Sequence, residues 1–259
     1  MKSMAMARRE ALAVLGLGLA AAASVESPAE AAAPALSEGA KTLAQLDAAL
    51  EKAPRRRDFK TVPMILDKPD QWDADALTLV LSYKGGPKQT FDNVDIAGPW
   101  LNLMRNSLNA QVFAFRHPDF LVVSATHGHA HLALFDQTMW DKYQLARMTG
   151  GKFDHNALIV EQKAASIDPK DFENPEGVYS PHNNSIPALQ GRGVVFMGCH
   201  NAIWEISEHL LKTGVNPDKL PHEAVAAELT NHLIPRVILT PGMVGTLPEL
   251  ALAGFSFAK

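Results

Sequence analysis

Residues 192–214, RGVVFMGCHNAIWEISEHLLKTG, decide the fold class. Val194–Met197 is a short, continuously apolar run, the pattern of a strand buried on both faces. Gly198-Cys199-His200-Asn201 then turns the chain. Beyond it Ile203, Ile206 and Leu210 recur at i, i+3 and i+7, the spacing of one helical face, and Gly214 supplies the stop. A buried strand feeding directly into an amphipathic helix is half of a βαβ unit.

The same alternation extends outward in both directions. Upstream, 75–83 (DALTLVLSY), 111–115 and 119–125 (DFLVVSA) read as strands, the first two closed by Lys84-Gly85-Gly86-Pro87 and His117-Pro118. Between them Ala97, Leu101, Met104 and Leu108 share one helical face opened by Gly98-Pro99, and a further helix is expected within 136–149. Downstream, a helix over 223–232, a strand over 236–240 (RVILT) and a helix through Leu247 and Leu250 close the chain before Gly254-Phe255-Ser256-Phe257. Strands without polar alternation, separated by helices, predict an α/β domain with a mostly parallel sheet covered by helices on both faces. The domain is expected over 75–259. An extension at 32–74 precedes it, with a short helix on Leu43, Leu46 and Leu50 and a solvated arginine run, Arg55-Arg56-Arg57. Residues 152–190 hold four prolines and little periodicity. They read as an insertion, expected to close over the strand ends or to seal against a neighbouring subunit.

With 47% hydrophobic and 20% charged residues the chain of 259 is globular in composition, and a net charge of -4 gives no basic field for nucleic acid. No apolar run is long enough to span a bilayer as a helix. Lys2, Arg8 and Arg9 precede Ala11–Ala23, thirteen uncharged residues, which is the pattern of a signal peptide over 1–31. The Arg8-Arg9 pair fits twin-arginine export, although Glu10-Ala11-Leu12 departs from the usual residues after it; general secretion is the alternative. Either route predicts a periplasmic protein, in an oxidising compartment where the lone Cys199 needs a reason to persist.

Open parallel sheets bind ligands outside the carboxyl ends of their strands. Read that way, the sequence offers Lys84, then His127 within Thr126-His127-Gly128, then Cys199, His200 and Asn201, and finally Thr240. Cys199 precedes a helix N-terminus, where free amides favour a thiolate, and His127 or His200 would serve as its base. Among the scattered histidines His182 is singled out, because the insertion carries it.

Three segments, LVVSATHGHAHLALFD (121–136), RGVVFMGCHNAIWEISEHLLKTG (192–214) and IPRVILTPGMVGTLPELALAGFSF (234–257), together resemble the DsrE/DsrF-like family of small α/β sulfur-relay proteins. The resemblance implies a flavodoxin-like sheet, assembly into homo-oligomers, and Cys199 at the position of the family's sulfur-carrying cysteine, with a sulfur donor or acceptor as partner. The export signal, the insertion and the extra histidines depart from cytoplasmic members. His127, His129 and His131 admit a different chemistry. On a continued strand all three would share one face at metal-ligand spacing, whereas on a helix starting near Gly128 only His127 and His131 approach one another. Thr-His-Gly-His-Ala-His also resembles the first zinc motif of metallo-β-lactamase-like hydrolases, but it lacks that motif's Asp-His ending. Two functions follow: thiol-dependent sulfur handling or small-molecule chemistry at Cys199, or binding of a small ligand or of zinc, copper or iron by the histidines, without catalysis.

Overall fold

The computed structural model describes residues 34–160 and 163–259; the expected signal peptide lies outside them. The chain runs α1 (Lys41–Lys52), α2 (Ala74–Leu81), β1 (Lys88–Asn93), α3 (Trp100–Asn109), β2 (Leu121–Thr126), a 3-10 segment (Gly128–Leu134) and α4 (Gln137–Lys142). It continues through α5 (Ile186–Gly191), β3 (Val195–Cys199), α6 (His200–Lys212), α7 (His222–Asn231), β4 (Ile238–Thr240), α8 (Met243–Leu252) and β5 (Ser256–Ala258). Five parallel strands form one sheet in the order β4-β3-β2-β1-β5. The architecture is the expected α/β class with helices on both faces.

Strand side chains alternate between two cores. On one face Val122, Phe91 and Phe196 pack with α3, α6 and α7 through Met104, Leu108, Ile203, Ile206, Val225 and Leu229. On the other, Leu121, Val123, Val195 and Met197 meet α1, α2 and α8 through Leu43, Leu46, Ala76, Val80, Met243 and Leu250. The chain therefore crosses one face from β1 to β4, then reverses through α8 to reach β5.

Two expected strands are helical. Residues 75–83 fall largely in α2, whose fully buried residues are Ala76 and Val80, an i, i+4 pair. A short apolar run has no intrinsic period, so the neighbouring sheet decides. The strand is instead 88–93 (KQTFDN), concealed by its polar residues although it pairs on both sides, with β2 and with β5. Residues 111–115 continue α3 as a π turn over Ala110–Ala114. The expected helix within 136–149 splits into α4 and a 3-10 turn, Leu145–Thr149, around Gln144 in the left-handed region.

The described part of the expected extension, residues 34–74, packs into the domain. Asp119 Oδ1 accepts from the amides of Thr42 and Leu43 at 2.8 and 2.9 Å, capping α1 from the start of β2. Of the arginine run, Arg57 is structural rather than solvated: it forms a two-pronged pair with Asp73 (3.1 and 2.8 Å), whose other role is to accept the Leu239 amide at 2.7 Å. Three groups distant in sequence thus tie α2 to β4.

Candidate functional site

Cys199 ends β3 and N-caps α6. Its neighbour β4, in register with it at Thr240, leads into α8. The helices after these two adjacent strands leave to opposite faces of the sheet, so Cys199 stands at the topological switch point, where crevices form in open α/β sheets. The Sγ accepts the Ala202 amide of α6 at 3.4 Å and the Met243 amide of α8 at 3.2 Å. Both first turns thereby aim free donors at one sulfur. Burial pushes the thiol above its ordinary value, and the Met243, Ala202 and Asn201 amides pull against that shift. The side chain is 4% exposed.

His127 occupies the next strand end. It lies two residues past the Ala125–Met197 rung, as Cys199 does on its own strand, and its backbone is still extended. Side-chain alternation puts both residues on the α8 side of the sheet. His127 Nε2 meets Asp92 Oδ1 at 2.7 Å, and Lys259 Nζ lies 3.9 Å from Asp92 Oδ2. With Nε2–H donated to the carboxylate, Nδ1 is the ring's basic nitrogen. The carboxyl edge carries Lys259, Asp92, His127, Cys199 and Thr240 on five adjacent strands. Asp92 was not a sequence candidate. Its strand is the one hidden by polar residues, and in the short stretch between Gly85-Gly86-Pro87 and Gly98-Pro99 nothing local distinguishes Asp92 from Asp95.

The other candidates divide. Asn201 is exposed at the α6 N-terminus and lies against Gly242, where an added Cβ would come within 2.9 Å of Asn201 Nδ2. Thr240 is fully buried and donates to the Gly198 carbonyl at 2.9 Å, so its hydroxyl is committed to the backbone rather than to a ligand. His200 is buried and bonds the Pro63 carbonyl through Nε2 at 2.8 Å, which turns it toward the 60–64 segment and away from the role of base; burial lowers its pKa. Lys84 is exposed between α2 and β1, at the amino-terminal edge of the sheet, because the strand expected before it is a helix. His182 lines a separate hollow of about 180 Å³ with Ala157, Val160 and Asn183. Within the insertion, buried Tyr179 packs against the flank of α3 rather than over the strand ends, and its carbonyl accepts from Arg105 and Asn109.

The three clustered histidines do not converge. His127 is paired with Asp92, His129 is exposed, and His131 is fully buried against Phe135, its ring centroid 5.0 Å away. Among the described residues no three His, Cys, Asp or Glu side chains are arranged to hold a metal ion. A 3-10 segment has three residues per turn, so residues two apart do not share a face as they would on a continued strand, and residues four apart do not as they would on an α-helix. His129 instead lines an open cleft of about 470 Å³ between this segment and α6, with Arg147, Met148, Glu205, Ile206 and His209. That volume suits a small molecule. No family model, no curated protein and no solved structure matches this chain.

Proposed function

We propose that this protein is a thiol-dependent sulfur-handling protein of the DsrE/DsrF-like kind, with Cys199 as the reacting group. The observation that carries the reading is the pair of helix-terminal amides, from opposite faces of the sheet, donated to one sulfur. Two such donors stabilise developing negative charge on a thiolate or on a persulfide. His127 supports the reading as the proton acceptor on the adjacent strand end, with Asp92 holding its ring.

The chemistry is sulfur transfer from a persulfide donor. The Cys199 sulfur attacks the donor's terminal sulfur, an S–S bond forms to Cys199, and the donor's own S–S bond breaks. The donor leaves as a thiolate that takes the proton released from Cys199 by way of His127. No external oxidant is needed, since a persulfide and a thiol become a thiol and a persulfide. Export on Arg8-Arg9 and Ala11–Ala23, and self-association, belong to the same reading.

Native-state alkylation tests it. Iodoacetamide should label the folded wild type with a rate that rises above the pH of an ordinary thiol, because burial raises the Cys199 pKa. His127→Asn and Asp92→Asn should both slow labelling near neutral pH. A thiol that is inert in the folded protein at every pH, yet labels once unfolded, would make Cys199 a core residue.

A second reading is small-ligand binding in the 470 Å³ cleft. It is favoured by Arg147 and Glu205, which face that space without an ion pair among the described residues. Arg147→Met would weaken such binding and leave alkylation of Cys199 unchanged.

A further inference from the structure

Arg147 and Glu205 stand on two different walls of the 470 Å³ cleft. The 3-10 segment Gly128–Leu134 packs against both α6 and the turn Leu145–Thr149, and so forms the floor between them. The turn is fixed from within: Leu145 and Thr149 are buried, and the Thr149 hydroxyl donates to the Ala146 carbonyl at 2.7 Å, while Arg147 between them is exposed. The facing wall, α6, is held to the core by Ile203, Ile206 and Leu210. Glu205 and His209, four residues apart and therefore one turn above another, both border the cleft from it. His129 is exposed on the floor. The charged groups thus stand on elements that packing has already placed.

Arg147 and Glu205 border one space and are not paired with each other. A simple anion drawn to Arg147 is repelled by Glu205, and a simple cation drawn to Glu205 is repelled by Arg147. A ligand that carries both charges meets both walls favourably. The planar guanidinium fork matches a carboxylate, and an ammonium has three donors to share between the Glu205 carboxylate and an imidazole nitrogen. Between the charges, Met148 and Ile206, which pack on the core, supply apolar surface.

We propose that this cleft binds a small zwitterion, one carboxylate and one ammonium on an apolar body, as in a free apolar amino acid or a short peptide. Its carboxylate lies on Arg147, its ammonium on Glu205 with His129 or His209, and its body against Met148 and Ile206. The proposal rests on the reading of the cleft as a ligand site. It is separate from the chemistry at Cys199, whose side chain belongs to the core on the α8 side of the sheet.

Isothermal titration calorimetry of the native protein tests this with four probes: leucine, leucylglycine, N-acetylleucine and leucinamide. Leucine or leucylglycine should bind saturably and shift the imidazole NMR signals of His129 and His209. The two singly charged probes should bind about tenfold more weakly or worse, each lacking one charge-assisted contact. The tighter of the two zwitterions distinguishes a free amino acid from a peptide. Arg147→Met should erase the advantage of leucine over leucinamide, and Glu205→Gln its advantage over N-acetylleucine; both side chains are exposed, so both variants should keep the fold. N-acetylleucine or leucinamide binding as tightly as leucine, with loss on substitution of Arg147 or Glu205, overturns the zwitterion and leaves the cleft a ligand site. Binding by none of the four, or binding that neither variant nor either imidazole registers, overturns the zwitterion and the cleft together.

Discussion

His131→Leu isolates the energetic role of a buried imidazole beneath the strand ends. The wild-type ring is fully buried, neither nitrogen has a partner, and burial pushes its pKa from 6.5 down to about 3. The unfolded chain takes up a proton near 6.5 that the folded chain refuses until about pH 3. This contribution to stability is therefore complete above pH 6.5 and is lost as pH falls toward 3. Each unit of pH in that window costs at most about 1.4 kcal/mol, and less close to pH 6.5 where the unfolded imidazole is half protonated, so acidification from about 6.5 to 4.5 removes about 2 kcal/mol through this residue. Leucine fills a similar volume against Leu134 and Phe135, carries no titrating group, and removes two orphaned polar atoms whose burial costs roughly 1–3 kcal/mol. Urea unfolding at a series of pH values is the assay. At pH 7 the variant should equal or exceed the wild type, and toward pH 4.5 its stability should fall less steeply, the residual slope including His200, which burial also depresses. Parallel stability curves for the two proteins, or an imidazole signal of His131 titrating near pH 6.5 in the folded wild type, would refute the reasoning.

Asp73→Ala should cost about 3–5 kcal/mol by denaturant unfolding, because it strands Arg57 and leaves the Leu239 amide of β4 without an acceptor. Asp73→Asn should cost less, since it keeps an acceptor oxygen. Gly198→Ala places a Cβ 3.0 Å from His131 Nε2 and 3.4 Å from Leu134 Cδ1 in a strand paired on both sides, and about 1–3 kcal/mol of destabilisation is expected in the same assay. Combined with His131→Leu, the Gly198→Ala penalty should change, because the two sites share one contact.

The parts of the fold legible in the sequence were those in which local period and burial agree. Val194–Met197, Leu121–Ala125 and Ile238–Thr240 are buried on both faces and read as unbroken apolar runs, and α3 and α6 show their buried stripes at helical spacing. The reading failed where tertiary context overrides period. Residues 75–83 are as apolar as a central strand but are laid across the sheet as α2, and 88–93 look like a loop but pair with two strands. That one exchange accounts for two departures at the site: Lys84 lies at the opposite edge from the one expected, and Asp92 is hidden in a strand that reads as a loop. The strand-end positions of Cys199 and His127 were legible because the one ends a well-formed strand and the other directly follows one. The orientations of His129, His131 and His200 were not, because a ring's direction at a strand end depends on the first turn that follows it. Likewise nothing local in the insertion indicates that Tyr179 packs on α3 and Arg192 rather than over the strand ends.

The central claim is that the only cysteine of the chain handles sulfur, and the intact mass of the native protein tests it most directly. After incubation with inorganic polysulfide and removal of excess reagent, the wild type should gain the mass of a sulfur atom, lose it to a thiol reductant, and pass it to an acceptor thiol. Cys199→Ser should gain nothing. A folded wild type whose mass is unchanged under conditions that modify the unfolded chain would contradict the account.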